Sequence, residues 1–405
     1  MNKHRKMNDK ELEKIEKIIE SSHINFMIGS GASRDYLETL NNIESLLTTL
    51  DTQPNNEILE TSIKYEYFDK CIRGNLRLIN NLILSPEKEA QYNKTKNSYF
   101  EFIKALNIIL LKRKTNLLNK QINLFTTNMD LFLDKTLDES NIEFNDGFGG
   151  KFEPVFSTSN YLKSFFKSSA QYDLKSELPM FNLFKLHGSV TWKQVNISNS
   201  ETKIIYDCSL QTLKNLNKIK FNVKDIILNI EDFEKAKKQV IGLNIENLDK
   251  HLSFLKEYKD LVMINPNKEK FESTTLRLEY YEQLRMYSNS LEKENSVLFV
   301  CGFSFADEHI KEITLRAANS NPTLVIYIFC FNEEDKNKIE KTLIGSKFNN
   351  IKYFFDFSFE RTINTVFSNI AAKLDIKSYD LKDPDDYKKN LSKTAINQIE
   401  DEAKR

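Results

Sequence analysis

The chain has 405 residues, 40% of them apolar with 29 Phe and 16 Tyr, which is enough to build a large core and argues against a disordered chain. Its 58 basic and 58 acidic residues cancel, so the basic excess by which dedicated nucleic-acid binders neutralise phosphate is missing, and direct nucleic-acid binding is not expected. No apolar run approaches the roughly 18 residues of a membrane span, and the N-terminal stretch lacks the apolar centre of a signal peptide. The cysteines at 71, 208, 301 and 330 form no CxxC pair, so they read as reduced core thiols of a cytoplasmic protein and not as zinc ligands.

Taken along the chain, Glu11–Glu20 has helical period and Ile24–Ile28 is a short apolar run of the kind that forms a buried strand. Residues 52–118 are amphipathic and helical, without a strand. Further strands are predicted at Ile122–Thr126 and Leu183–Leu186, and residues 194–256 are Lys-, Asn- and Ile-rich with mixed short runs. Strands then follow at Leu261–Ile264, Val297–Cys301, Thr323–Phe331 and Ile351–Phe355, with helices at Phe271–Glu294, Ala306–Ala318 and Glu333–Leu343. The runs lack strict alternation, which suits strands covered on both faces. Strand alternating with helix implies an α/β protein with a doubly wound, mostly parallel, Rossmann-like sheet. The sheet domain is assigned to 1–51, 119–193 and 257–374, a largely helical inserted module to 52–118 and 194–256, and a charged tail to 375–405, broken at Asp383-Pro384-Asp385-Asp386.

Glycine is scarce: 10 residues, where an average chain of this length holds roughly 28. Gly29-Ser30-Gly31-Ala32-Ser33 follows a strand and predicts a turn into a helix, whose N–H groups suit a pyrophosphate. The sixth position of a full GxGxxG is Arg34, so a plain tight turn with Ser33 as helix cap is the competing reading. Thr127-Asn128-Met129-Asp130 lies at a strand end, where ligands bind in such sheets or where Asn128 or Asp130 caps the next helix. Leu186-His187-Gly188 places an imidazole, the side chain best suited to base work near neutral pH, at another strand end; a hydrogen-bonded structural histidine is the alternative. Gly302-Phe303-Ser304 ends a fourth strand, and Ser304 with Asp307 has capping-box spacing. Phe144–Gly150 reads as a flexible loop able to lie over a nucleotide, or as a plain turn, and Trp192 reads as a core residue, with stacking on the ligand as the alternative.

In this order the four strings resemble the sirtuin superfamily over roughly residues 20–370, the His-Gly and Asn-x-Asp pair being the specific part. Two features depart from the deacylases of that superfamily: Thr126-Thr127-Asn128 stands where they have Thr-Gln-Asn, and no four-cysteine zinc module follows His187-Gly188. The chain is more similar to bacterial sirtuin-like proteins of antiviral defence that degrade NAD. Val262-Met263-Ile264-Asn265-Pro266, Glu269-Lys270-Phe271 and Val300–Ile310 resemble the stand-alone subunit paired with a HerA-type hexameric ATPase. The resemblance implies an NAD+ glycohydrolase that takes NAD as substrate, uses no metal, and forms a homo-oligomer with the ATPase as partner. It implies His187 as base toward a ribose hydroxyl, Asn128 positioning the attacking water and Asp130 at the nicotinamide ribose. Contacts to the rest of NAD fall on Gly29, Ser30, Gly31, Ala32, Ser33, Asp35, Thr127, Gly302, Ser304 and Asp307. The same pocket would serve a protein deacylase or an ADP-ribosyltransferase, or a catalytically silent NAD-sensing scaffold.

Overall fold

The structure is a computed structural model and describes residues 7–39, 43–51, 56–113, 117–197, 202–241, 248–263, 278–343 and 348–374. The 375–405 tail and the whole of the string from Ile264 to Phe271 lie outside the described residues. Seven strands form the central sheet: β1 (His23–Ile28), β2 (Gln121–Thr126), β3 (Phe144–Asn145), β8 (Met180–Lys185), β11 (Ser296–Cys301), β12 (Val325–Phe329) and β13 (Ile351–Phe354). Their order is β13-β12-β11-β1-β2-β8-β3, and every pairing is parallel. The fold is therefore the doubly wound α/β class that the alternation of strand and helix predicts. β8 and β11 are buried at all six positions, as expected for strands covered on both faces.

A ladder of asparagine amides crosses four of these strands. Asn123 Nδ2 donates to Asn25 Oδ1 at 2.8 Å, Asn182 Nδ2 to Asn123 Oδ1 at 2.9 Å, and Asn145 Nδ2 to Asn182 Oδ1 at 2.9 Å. Each is a directly paired neighbour in the strand register.

Helix α1 (Asp9–Ser21) precedes β1, its N-cap Asn8 accepting from Glu11 N, and buries Leu12, Ile15 and Ile19. Residues 52–118 supply α3 (Glu57–Tyr67), the short α4 (Asn75–Leu78) and the 27-residue α5 (Pro86–Lys112), after α2 (Ile43–Asp51). α5 lies directly on the sheet: the Phe102 and Phe26 rings meet edge-on at 5.1 Å. Its Tyr99 stacks on Phe132 of α6 (Phe132–Glu139) at 5.2 Å and 4°. Residues 194–256 add α7 (Gln211–Lys218), α8 (Phe233–Ile241) and α9 (Leu248–Lys259); α8 and α9 pack back onto α3, through contacts such as Tyr65 with Phe254 at 5.6 Å, and α7 packs on α9. The later helices are α10 (Leu278–Glu292), α11 (Glu308–Ser320) and α12 (Glu333–Thr342). Among the described residues no helix is long and apolar enough to cross a membrane.

Two sequence expectations are corrected. In the Leu261–Ile264 run, the described residues form no sheet strand. Met263 makes one antiparallel bridge to Gly188, and Val262 is buried with Trp192 and Tyr280, so the run meets its need for burial beside the sheet and not within it. Phe144–Gly150 is not a flexible loop. Its first residues are edge strand β3, and Phe148–Gly149 is β4 of a small antiparallel sheet with β5 (Val155–Phe156), β10 (Thr202–Tyr206) and β9 (Trp192–Asn196), while β6 (Phe166–Ser168) and β7 (Lys175–Glu177) pair with each other. Phe148 packs edge-on against Phe156, Trp192 and Tyr206, so its ring serves a core. Trp192 is buried, as a core role requires. Of the cysteines only Cys301 and Cys330 are buried; Cys71 is half-buried and Cys208 exposed.

Asp146, in the turn between β3 and β4, is pushed by burial from 3.8 up to about 6, while its bond from Phe148 N pulls the other way. The unfolded chain then gives up this proton about two pH units earlier than the fold does, so stability is lost as pH rises from about 4 through about 6. Asp146→Asn keeps an acceptor for Phe148 N and removes the charge. It should stabilise the protein at pH 8, by up to roughly 3 kcal/mol at 1.36 kcal/mol per unit, and hardly at all at pH 4.5. Melting curves of both proteins at the two pH values check this; an equal shift at both would refute it.

Candidate active site

From β1 the chain builds outward through β2 and β8, then returns to place β11 on the other side of β1. The turns after β1 and β11 thus face each other at the carboxyl ends of the strands, the switch point where ligands bind in sheets of this kind. Here they touch backbone to backbone. A Cβ on Gly29 would lie 2.4 Å from Gly302 O, and one on Gly31 would lie 2.8 Å from Gly302 Cα. Gly29 N donates to Cys301 O at 3.0 Å and Gly31 N to Gly302 O at 2.9 Å. This corrects the role read for these glycines: their N–H groups are taken by the neighbouring loop. No α-helix starts at Ser33 either. A single 3-10 turn, Ser30–Ala32, is followed by further turns, and Ser33 faces inward.

The residues singled out in the sequence converge. A cleft of about 540 Å³ is lined by Ser30, Gly31, Ala32, Ser33, Asp35, Thr127, Asn128, Asp130, His187, Gly302, Ser304 and Asp307, within the roughly 300–1,000 Å³ of small-molecule sites. Gly29 is the exception, lying under the loop contact and not on the wall. Asp35 sits at the rim, its carboxylate 2.8 Å from Lys94 Nζ. Arg34 lies beside it, with the guanidinium 4.4 Å above the centre of the Phe331 ring.

On the β2 side, Thr126 Oγ1 donates to Ile28 O at 2.8 Å and accepts from Asn128 N at 2.9 Å, fastening the loop to the end of β1. Asn128 Nδ2 donates to Gly29 O at 3.1 Å, while its buried Oδ1 has no partner. An acceptor left so costs about 1–3 kcal/mol, which marks it as an atom awaiting a donor. Asp130 is more occupied than the sequence implies. Oδ2 accepts from Ser33 Oγ at 2.8 Å and Oδ1 from Phe132 N at 3.2 Å, so it opens α6 while lining the cleft. Burial pushes its carboxyl up, and the Lys185 charge and the Ser33 bond pull it down.

His187 follows β8 by two residues, and its Nε2 lies 3.1 Å from Asp307 Oδ2. The other oxygen of Asp307 accepts from Ile310 N at 3.1 Å, so Asp307 is itself the N-cap of α11. The capping box expected between Ser304 and Asp307 is therefore absent, because the helix starts one residue after Asp307. Between them, buried Phe305 adopts φ +58°, a left-handed conformation that a bulky residue holds only under constraint. The kink carries the chain from Ser304 to Asp307 along the cleft wall.

Two further residues, Lys185 and Tyr99, support the site and were not assigned a role from the sequence. Lys185 Nζ, buried at the end of β8, reaches Asp134 Oδ2 at 2.7 Å and also donates to Asp130 O. A lysine in an otherwise apolar run was the readable signal. Tyr99 bonds Ser33 Oγ at 2.8 Å from α5, and nothing in its local sequence announces that contact. Among the described residues no group of His, Cys, Asp and Glu is placed to hold a metal.

No family model matches this chain, and no curated protein does. Among solved structures it is similar to one described as "Structural Basis for the Mechanism and Regulation of Sir2 Enzymes", at 14% identity and a TM-score of 0.37, with 91% of this chain and 99% of that one covered.

Proposed function

We propose that this chain is a sirtuin-like NAD+ glycohydrolase: it binds NAD+ in the switch-point cleft and hydrolyses the nicotinamide–ribose bond to nicotinamide and ADP-ribose. The observation that carries the reading is the meeting of Asn128 with the His187–Asp307 pair on one cleft beside the β1 glycine turn. With a proton on Nε2 facing Asp307, the imidazole keeps a lone pair on Nδ1 and is held as a base. Water attacks the anomeric carbon, the carbon–nitrogen bond breaks, and nicotinamide leaves as a neutral molecule, so no acid has to protonate it. The proton lost by the nucleophile passes to His187. Asn128 Oδ1 accepts from the water or a ribose hydroxyl, the donor its unpartnered state calls for. With the Gly29 and Gly31 N–H groups taken, Arg34, the cation of the β1 turn on the cleft lining, would supply the positive charge for the diphosphate.

A role in antiviral defence, as a homo-oligomer with a HerA-type ATPase, belongs to the same proposal and is supported by the sequence resemblance alone. The deciding experiment incubates the pure protein with NAD+, alone and with a HerA-type ATPase, and follows nicotinamide and the ribose product. Free ADP-ribose is the expected result. Acylated ADP-ribose in the presence of an acylated peptide would make it a deacylase, ADP-ribosylated protein a transferase, and tight NAD+ binding without nicotinamide release a sensing scaffold.

A further inference from the structure

The strands that lead to Asn128 and to His187 are neighbours, and their last rung lies just short of both residues. The register pairs Thr126 of β2 with Lys185 of β8, and Leu186 N donates to Thr126 O at 2.9 Å. Past that point two other bonds join the loops: Lys185 Nζ donates to Asp130 O, and Val190 N donates to Met129 O at 3.2 Å. The two carbonyls follow Asn128 directly, and the two donors stand on either side of His187. The Lys185 side chain is 3% exposed, and its charge is met at 2.7 Å by Oδ2 of Asp134, in the first turn of α6. Replacing a buried ion pair by apolar side chains is often neutral for stability or better, so stability alone does not account for a lysine here. Neither Lys185 nor Asp134 lines the cleft, so what they contribute to chemistry passes through the backbone they hold.

We propose that Lys185 is a positioning residue of this site: its ammonium, anchored on Asp134, holds the Asp130 carbonyl and so fixes the Asn128 loop against the strand that carries His187. The backbone ladder sets where β2 and β8 end, and the lysine extends that alignment from a side chain to the loop between Thr127 and Asp130. The Val190–Met129 bond alone would leave this loop a pivot; a second bond at the next carbonyl removes it. Asn128 and the imidazole are then held at one spacing, and a displacement of about 1 Å between reacting groups can cost roughly 10²-fold in rate.

The inference rests on the glycohydrolase reading. Lys185→Met alone leaves a buried carboxylate without its cation, so the test is Lys185→Met with Asp134→Leu, which exchanges the pair for apolar side chains. The double variant should melt close to the wild type, yet its kcat should fall roughly ten- to a hundredfold while directly measured NAD+ affinity stays within about threefold. Lys185 pulls the Asp130 carboxyl down and Asp134 pushes it up, so with both removed the loss should persist as pH is raised. Should that variant not fold, Lys185→Gln with Asp134→Asn takes its place with the same expectation, being uncharged and too short to reach Asp130 O. Asp134→Asn alone leaves the lysine on Asp130 O, so it should lose stability and keep kcat within about twofold in the folded protein. Wild-type kcat in the folded double variant, recovery of its kcat at higher pH, or a loss of about tenfold in folded Asp134→Asn would each overturn the proposal. If the wild type releases no nicotinamide in any assembly, it is the glycohydrolase reading that fails, and hydrogen exchange decides the inference. The Asn128 and Val190 amides, bonded to Thr126 Oγ1 and Met129 O, should then exchange about tenfold faster in the double variant than in the wild type, with the amides of β1 and β2 unchanged; equal exchange in both proteins refutes it.

Discussion

His187→Ala should reduce nicotinamide release by about 10²–10⁴-fold while the protein melts as the wild type does. The imidazole stands in the loop after β8, 14% exposed, with its Nε2 facing Asp307. Removing it empties no core position. A structural histidine would behave otherwise, its loss lowering the melting point and taking activity down only as the folded fraction falls. Melting and nicotinamide release are therefore measured on the same samples, and full activity in the variant would end the assignment. Asp307 sharpens the test because it does two jobs. Asp307→Asn retains an oxygen to cap Ile310 N but loses the charge facing Nε2, so activity should drop with little change in stability. Asp307→Ala loses the cap as well, which costs a further 0.5–2 kcal/mol, typical of cap removal.

The largest effect on stability should come from Gly29→Ala. At φ −104° the backbone of Gly29 suits any residue, so conformational freedom does not explain the glycine. Space does: a Cβ would stand 2.4 Å from Gly302 O and 2.7 Å from Phe303 Cα, both backbone atoms of the loop after β11. Backbone cannot rotate away as a side chain can. The methyl should therefore cost at least the 1–3 kcal/mol typical of overpacking and loosen the Gly29 N–Cys301 O bond with it. Urea unfolding measures the loss, and a stability within 0.5 kcal/mol of wild type would refute the account. Gly302→Ala attacks the contact from the other side, with a Cβ 2.5 Å from Ala32 N at φ +63°, so the two losses should not add. By the same geometry Gly31→Val cannot report on phosphate binding alone, since it wedges the two loops apart.

Much of this was legible in the sequence because strand ends in a parallel sheet all point one way. Once Ile24–Ile28, Ile122–Thr126, Leu183–Leu186 and Val297–Cys301 read as buried strands, the polar residues that follow them had to gather at one edge, and Asn128, His187, Ser304 and Asp307 do. What remained hidden depended on contacts between segments far apart. A glycine turn looks the same whether its N–H groups await a phosphate or already serve Gly302, and Ser33 looks like a cap until Tyr99 arrives from 66 residues away. Asparagine is depleted in strands, yet β1, β2, β3 and β8 each contain one, at 25, 123, 145 and 182.

Those four amides decide how accurately the cleft is assembled. The loops bearing the Gly29 turn, Asn128 and His187 leave β1, β2 and β8, three of the strands the ladder ties together. Sliding one of these strands by a single residue would displace its loop by about 3.3 Å, turn its side chains to the opposite face and strand amides on both sides of the slip. Intermediate alignments are thereby closed off. The spacing between the imidazole, the Asn128 amide and the glycine turn is ruled, like marks on a gauge, from the far end of the strands.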